Sequence, residues 1–246
     1  LVKILSPNDA TRQLANAHTF FNILNTVLLL PFANILVVLS TKIIKVKEYE
    51  KTKPIGIKYL DERMLETPSI AIIQVLKEIW NMGNLTLESY RTAMNAFFEQ
   101  NGELAKKTFR IEQVINDMEK DIAEYLVKLS NTSLSAKQHG LVDQFFNTIN
   151  DIERVGDHAE NLAEMAMYSI ENNLVFSDTA FEELREMHGR VMKSYKQSIE
   201  ALKTGDINLA GRVIEREGEI DHIEKSLRAS HIARLNKQLC SAGSGV

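Results

Sequence analysis

Apolar residues recur every three to four positions along most of the chain after residue 68, and few glycines or prolines interrupt them. Such spacing is typical of the buried face of a helix that packs lengthwise against antiparallel neighbours. The clearest run has the spacing 4-3-4-3-4-3-4 and comprises Leu104, Thr108, Ile111, Ile115, Met118, Ile122, Tyr125 and Leu129. We therefore predict an all-α domain with five long helices, at about 68–99, 103–130, 136–172, 178–203 and 207–239.

Local signals mark the ends of these helices. Thr67 suits an N-cap position before Pro68, which suits the first helical turn. The segment Ser135–Gln138 has the sequence of a capping box. Short turns at residues 101–102 and 204–206 predict that consecutive helices run antiparallel.

The second and fifth helical patterns are related by an internal repeat. A shift of 105 residues aligns Glu112 with Glu217 and Ile115 with Ile220. The repeat predicts two three-helix bundles, at residues 68–175 and 176–246, with the last helix of the second bundle missing. The fifth helix should then expose an unpaired apolar face, and further sequence is expected beyond both ends of this chain.

A hydrophobic segment precedes the helical domain. Fifteen of the twenty residues from Phe20 to Leu39 are apolar, and no charge lies between Arg12 and Lys42. A signal peptide is disfavoured because the basic cluster follows the segment, whereas a buried helix remains an alternative. We predict a membrane helix within residues 1–46, a linker at 47–67, and the rest of the chain in the cytoplasm. Its polar face comprises His18, Asn22, Asn25 and Thr26.

Charge is distributed unevenly along the chain. Residues 1–60 carry a net charge of +5, and the remainder carries −9. An acidic domain disfavours nucleic acid as a partner and favours cations. The single cysteine, Cys240, excludes an internal disulfide framework and a multi-cysteine zinc site.

Pairs of carboxylates four residues apart are the candidate metal ligands. Glu153 and Asp157 project from one face of the third predicted helix. Converging oxygen ligands suit hard cations such as iron(III), manganese, magnesium or calcium. The same spacing on the other helices adds Glu112 with Asn116, and Glu217 with Asp221.

A solvated acidic face is the competing interpretation of these pairs, since carboxylates at this spacing are common on exposed helices. Gly156 favours the metal site, because a glycine inside a helix is costly unless it permits a close approach. No sequence motif indicates an enzyme: the chain lacks phosphate-binding glycine loops and a nucleophile elbow. Glu219 and His222 form a single Glu-x-x-His motif, which is weak support for a diiron oxidoreductase.

Several segments, in this order, resemble a known family. The run from His18 to Asn22, continuing through residues 30–32, resembles the last membrane helix of bacterial sodium-dependent phosphate cotransporters. Residues 60–63 and 66–68, the run 150–161, and residues 234–236 with Cys240 resemble the PhoU-like domain that follows it. The resemblance covers essentially the whole chain.

This resemblance implies the C-terminal part of a sodium:phosphate symporter in the bacterial inner membrane, with a PhoU-like regulatory tail. Such domains are paired three-helix bundles that bind iron or other hard cations through Glu/Asp-x-x-x-Asp motifs. The pairs Glu153/Asp157 and Glu217/Asp221 match the motif, whereas Asn116 departs from it. The implied partners are the rest of the membrane domain, sodium and phosphate as substrates of the parent protein, and a homodimer or sensor-kinase contact.

Three hypotheses follow. The first is the terminal part of a phosphate transporter whose acidic bundle senses metal or a partner. The alternative is a membrane-tethered PhoU-like interaction module that regulates phosphate signalling without its own transport core. A diiron-like oxidoreductase ranks last.

Overall fold

The computed structural model describes residues 10–32 and 56–237, and all regular secondary structure in these ranges is helical. The prediction of an all-α protein is therefore confirmed. The chain divides into two compact units, Leu1–Lys53 and Pro54–Val246.

In the first unit, helix α1 spans Ala10–Leu29 and a 3-10 turn follows at Leu30–Phe32. Helix α1 begins ten residues before the predicted hydrophobic segment, and residues 33–39 of that segment lie outside the described ranges. Within those ranges, no helix is both long enough and apolar enough to cross a membrane. Helix α1 itself includes the polar stretch around Arg12, which lowers its mean hydropathy. The predicted location in the bacterial inner membrane is contradicted by this finding.

In the second unit, five long helices lie close to their predicted positions. A short 3-10 helix, Glu62–Glu66, precedes them. The helices are α2 (Pro68–Phe98), α3 (Gly102–Ser130), α4 (Ala136–Glu171), α5 (Asp178–Thr204) and α6 (Ile207–Asn236). The helical periodicity therefore located every long helix of this unit.

Most helix ends follow local sequence rules. Ser135 and Gln138 form the predicted capping box, since the Ser135 hydroxyl accepts from the Gln138 amide and the Gln138 side chain accepts from the Ser135 amide. Asp206 caps α6, and Gly205 adopts a left-handed φ of 69° at the end of α5. Thr67 differs from the prediction because its side chain makes no capping hydrogen bond.

Helices α2, α3 and α4 pack against one another around a continuous apolar core. Seven of the eight predicted seam residues of α3, from Thr108 to Leu129, are buried. Towards the other end of the bundle, small residues such as Ala105, Ala159 and Ala163 allow a close approach between helices. This close packing holds facing positions of α3 and α4 in a defined register.

Helices α5 and α6 pack against each other, and α5 also packs against α2. The Ile199 side chain lies where a Cβ on Gly83 would be, and the Lys203 amine lies 4.1 Å from the centre of the Trp80 ring. Helix α6 has no buried residue, although its repeat counterpart α3 buries most of its seam. The described elements therefore leave α6 far more exposed than α3.

The segment before α2 is bound to the bundle. The buried carboxylate of Glu78 accepts hydrogen bonds from the backbone amides of Lys58 at 2.8 Å and Tyr59 at 2.5 Å. The Tyr125 hydroxyl donates to the Asp61 carbonyl at 2.9 Å. The later part of the predicted linker thus lies against α2 and α3.

Candidate metal centre

An acidic group lies between α3 and α4. One carboxylate oxygen from each of Glu112, Asp157 and Glu160 falls within 4.8 Å of the others. Glu112 comes from α3, and the other two residues lie three positions apart on α4. Three converging oxygen donors are a suitable arrangement for one hard cation.

Glu112 is the least exposed member of this group, with 5% of its surface accessible. Burial raises the pKa of its carboxyl group, and the charge of Glu160 raises it further. Asn116 partly opposes this pKa increase, because its side-chain amide donates a hydrogen bond to Glu112. Asp157 and Glu153 add smaller increases to the same pKa. The negative charge of Glu112 is therefore poorly solvated, and it lies close to the more exposed charges of α4.

The neighbouring carboxylates on α4 respond in the same way. Burial raises the pKa of Glu160, with further contributions from Glu164 and Asp157. Burial also raises the pKa of Glu153, and Asp157 and Glu119 increase it further. Mutual repulsion of this kind is relieved by a bound cation or by protons.

The side chain of Asn116 supports a cation site in a second way. Its amide nitrogen donates to Glu112, whereas its Oδ1 atom is buried and has no hydrogen-bond partner among the described residues. A buried amide oxygen without a partner is costly. Amide oxygens, like carboxylate oxygens, are donors that suit a hard cation such as iron(III), manganese, magnesium or calcium.

Gly156 explains how α3 and α4 approach each other beside this group. A Cβ atom at Gly156 would lie 3.3 Å from Cγ2 of Ile115, which is tighter than an ordinary contact. Gly156 is buried and directly precedes Asp157, while Ile115 lies one turn after Glu112. The glycine therefore sets the separation of the helices that carry the acidic side chains.

The predicted site residues have different positions in the structure. Glu112, Asn116 and Asp157 contribute to the α3–α4 site, and Glu153 lies one turn away from Asp157 on α4. Glu217 and Asp221 lie on α6, and no described group of potential metal ligands includes them. Their role as ligands stays a prediction.

The four residues of the predicted polar face, His18, Asn22, Asn25 and Thr26, all lie on α1. The Thr26 hydroxyl donates to the Asn22 carbonyl at 2.8 Å, as is common for threonine inside a helix. Their proposed contacts with other membrane helices stay a prediction.

Glu160 was missed by sequence reasoning, although a signal was present. Glu153, Asp157 and Glu160 follow one another at spacings of four and three residues, as Glu112, Asn116 and Glu119 do on α3. When two packed helices carry the same 4-3 polar pattern, polar side chains of one helix can meet those of the other at three successive turns. Extending the carboxylate pair by one turn would have included Glu160.

Comparison with known proteins identifies the family. The family model of the PhoU domain matches residues 79–166 and 184–243, which is more than half of the chain. The chain belongs to the PhoU domain family. The crystal structure of PhoU from Pseudomonas aeruginosa is similar to this chain, with a TM-score of 0.63 and 25% identity, over 67% of this chain and 78% of that one. The predicted PhoU-like fold is thereby confirmed.

Two kinds of relatives are similar to this chain. The phosphate-specific transport system accessory protein PhoU homolog 1 of Thermotoga maritima is 26% identical over 64% of this chain and 68% of its own length. The putative inorganic phosphate export protein YjbB of Salmonella typhimurium is 20% identical over 90% of this chain. This chain spans only 40% of the length of that YjbB protein. The comparisons do not show the sodium-dependent cotransporter family that the sequence resemblance implied.

Proposed function

We propose that this chain is a PhoU-like regulatory module of phosphate homeostasis, and that a hard cation binds at Glu112, Asp157 and Glu160. The main support for this proposal is the match of residues 79–166 and 184–243 to the PhoU domain. The relatives of both kinds are named for phosphate transport or export, which supports the same role. This function corresponds to the interaction module considered from the sequence, without its membrane tether.

The cation would act by changing the balance of forces between α3 and α4. Without it, the buried carboxylate of α3 and the more exposed carboxylates of α4 repel one another. With it, the same carboxylate side chains would draw the two helices together. A phosphate transport system or a sensor kinase that contacts these helices is the proposed partner, and it would distinguish the two states by their differential affinity.

Metal content provides the direct test in vitro. We expect the chain to retain a cation after dialysis against manganese or iron(III), as measured by elemental analysis. The double variant Glu112→Gln with Asp157→Asn should lose at least about 90% of that metal, because it removes two charged oxygen donors. The matched control is Glu171→Gln with Asp143→Asn, which alters the same number of carboxylates at exposed positions of α4. Equal metal content in the first variant and the unaltered chain would contradict the cation site.

Regulation is tested in the source bacterium. We expect the Glu112→Gln and Asp157→Asn changes, introduced into the chromosomal gene, to alter expression of a phosphate-starvation reporter at a fixed phosphate concentration. The control variant Glu171→Gln with Asp143→Asn should leave the reporter unchanged. A reporter that responds identically in all strains and in a gene deletion would contradict the regulatory role.

A second candidate function is the regulatory part of a protein that moves phosphate. It is favoured because the YjbB relative aligns over 222 residues, well beyond the segments that match the PhoU domain. We expect deletion of the whole gene to slow phosphate release from preloaded cells if this candidate holds. Comparing sodium with potassium buffers tests the sodium dependence implied by the sequence resemblance. An altered reporter with unchanged phosphate movement would favour an accessory role over this second candidate.

A further inference from the structure

A basic groove runs between α5 and α6, with a cavity volume of about 550 Å³. It lies on a different helix pair from the acidic group and shares no residue with it. We name it the α5–α6 groove, and its five basic side chains are Arg185, Arg190, Lys193, Arg212 and Arg216.

The internal repeat shows that three arginines of the groove stand where the first bundle has apolar residues. The 105-residue shift extends to α2 and α5, where it aligns Met82 with Met187 and Tyr90 with Tyr195. At the positions that line the α5–α6 groove, however, three apolar residues of the first bundle are replaced. The aligned pairs are Trp80 with Arg185, Leu85 with Arg190, and Ile111 with Arg216. Three such replacements in one cavity indicate a surface adapted to negative charge.

The contacts of the groove hold two arginines in place. Glu186 and Glu219 pair with Arg190, at 2.8 and 3.6 Å. Gln197 accepts a hydrogen bond from Arg216, and because this amide is neutral it orients the guanidinium without cancelling its charge. Positioned guanidinium groups can bind oxyanions through paired hydrogen bonds.

The remaining charges leave the groove positive. Lys193 and Arg212 have no ion-pair partner among the described residues. The groove also contains Glu215, so its five basic groups exceed its three carboxylates by two. A local charge of +2 stands out because residues 61–246 carry a net charge of −9. The surrounding acidic surface would repel anions elsewhere and leave this groove as the favourable position.

We propose that the α5–α6 groove is a binding site for a phosphate oxyanion, either inorganic phosphate or a condensed phosphate chain. The positive charge of the groove is independent of the proposed function. The choice of phosphate among anions rests on that proposed function in phosphate homeostasis. Arg190 and Arg216 face each other from two helices and bind the phosphate oxygens, and Lys193 and Arg212 add charge around them.

Equilibrium dialysis of the full chain with labelled inorganic phosphate, and separately with tripolyphosphate, tests this site. We expect saturable binding of at least one of the two anions. The double variant Arg190→Gln with Arg216→Gln should bind that anion at least tenfold more weakly, because it removes both positioned guanidinium groups. The matched control, Arg91→Gln with Arg110→Gln, removes two exposed arginines of the first bundle and should change the affinity by less than twofold. The anion that binds more tightly identifies the source of the phosphate group.

Absence of saturable binding of both anions would overturn the proposal, as would equal weakening in the two double variants. Binding of an acidic peptide in the groove without binding of either phosphate would overturn it too. Thermal unfolding of each variant by circular dichroism verifies that the chain remains folded. Suppose that neither anion binds in the groove, while metal binding at Glu112 and the starvation reporter behave as expected. Then only the phosphate site is contradicted, and the proposed regulatory function is not.

Discussion

Glu112 shows how one residue links packing with charge in this protein. Its side chain is buried in the first bundle, yet it faces two carboxylates of α4 and an amide of its own helix. A buried carboxylate that is not matched by positive charge lowers the stability of the folded state. The cost is compatible with a site whose stabilising partner is a cation.

The pKa of Glu112 leads to a prediction about pH. Because burial raises this pKa in the folded state, the folded chain binds a proton more tightly than the unfolded chain does. The metal-free chain should therefore gain stability from this group as the pH falls through the raised pKa towards about 4.3, the value of an unperturbed glutamate. Glu112→Gln should raise the Tm by roughly 1–3 °C at pH 7 in the presence of a chelator, and this gain should vanish near pH 4.

Differential scanning calorimetry at several pH values measures this effect. Glu171→Gln, an exposed carboxylate at the end of α4, is the control and should shift the Tm by less than about 1 °C at every pH. A lower Tm for Glu112→Gln at pH 7 would mean that the carboxylate stabilises the metal-free fold.

At the level of elements, the contact between α3 and α4 determines the geometry of the acidic site. Helix periodicity predicted both helices and most of their buried residues from sequence alone. It did not predict that Glu160 joins Glu112, because facing residues on two helices depend on how far one helix slides and rotates against the other. Gly156 contributes to that register through its close contact with Ile115.

Two glycines on α4 allow a matched test of this contact. Gly156→Leu should destabilise the chain by about 1–3 kcal/mol, since the added side chain would overlap Ile115 in a packed interface. Gly140→Leu places the same side chain where a Cβ meets nothing within 4 Å, and it should stabilise the helix by about 0.5–1 kcal/mol. Urea unfolding measures both values, and elemental analysis should show metal loss only for Gly156→Leu. Equal destabilisation by the two changes would show that the α3–α4 contact is not tight at Gly156.

At the level of the whole molecule, the two members of the internal repeat have different surroundings. Helix α3 is covered by α2 and α4, whereas α6 packs chiefly against α5 and has no buried residue. The sequence prediction that α5 and α6 belong to a second three-helix bundle stays a prediction. The contacts of α3 and α6 imply that α3 is more stable against local unfolding than α6.

Hydrogen exchange would reveal this difference. We expect amides in the middle of α3 to exchange at least about 100-fold more slowly than their repeat counterparts in α6, because local opening of α6 exposes little apolar surface. Exchange of the full chain followed by mass spectrometry compares the two helices directly, with α3 as the internal reference. Equal protection of α3 and α6 would indicate that α6 is covered by something other than the described helices.

The sequence by itself determined the positions of the helices, because periodic burial and capping hydrogen bonds depend on residues within a few positions of one another. It also revealed the 105-residue repeat and the family resemblance of the helical unit. For the first unit it predicted a membrane helix, whereas no helix of the described residues is long and apolar enough to cross a membrane. Only the tertiary structure decided that Glu112 meets Asp157 and Glu160, and that arginines of α5 and α6 line one groove. Both arrangements depend on the register between packed helices, which side-chain shapes determine across large separations along the chain.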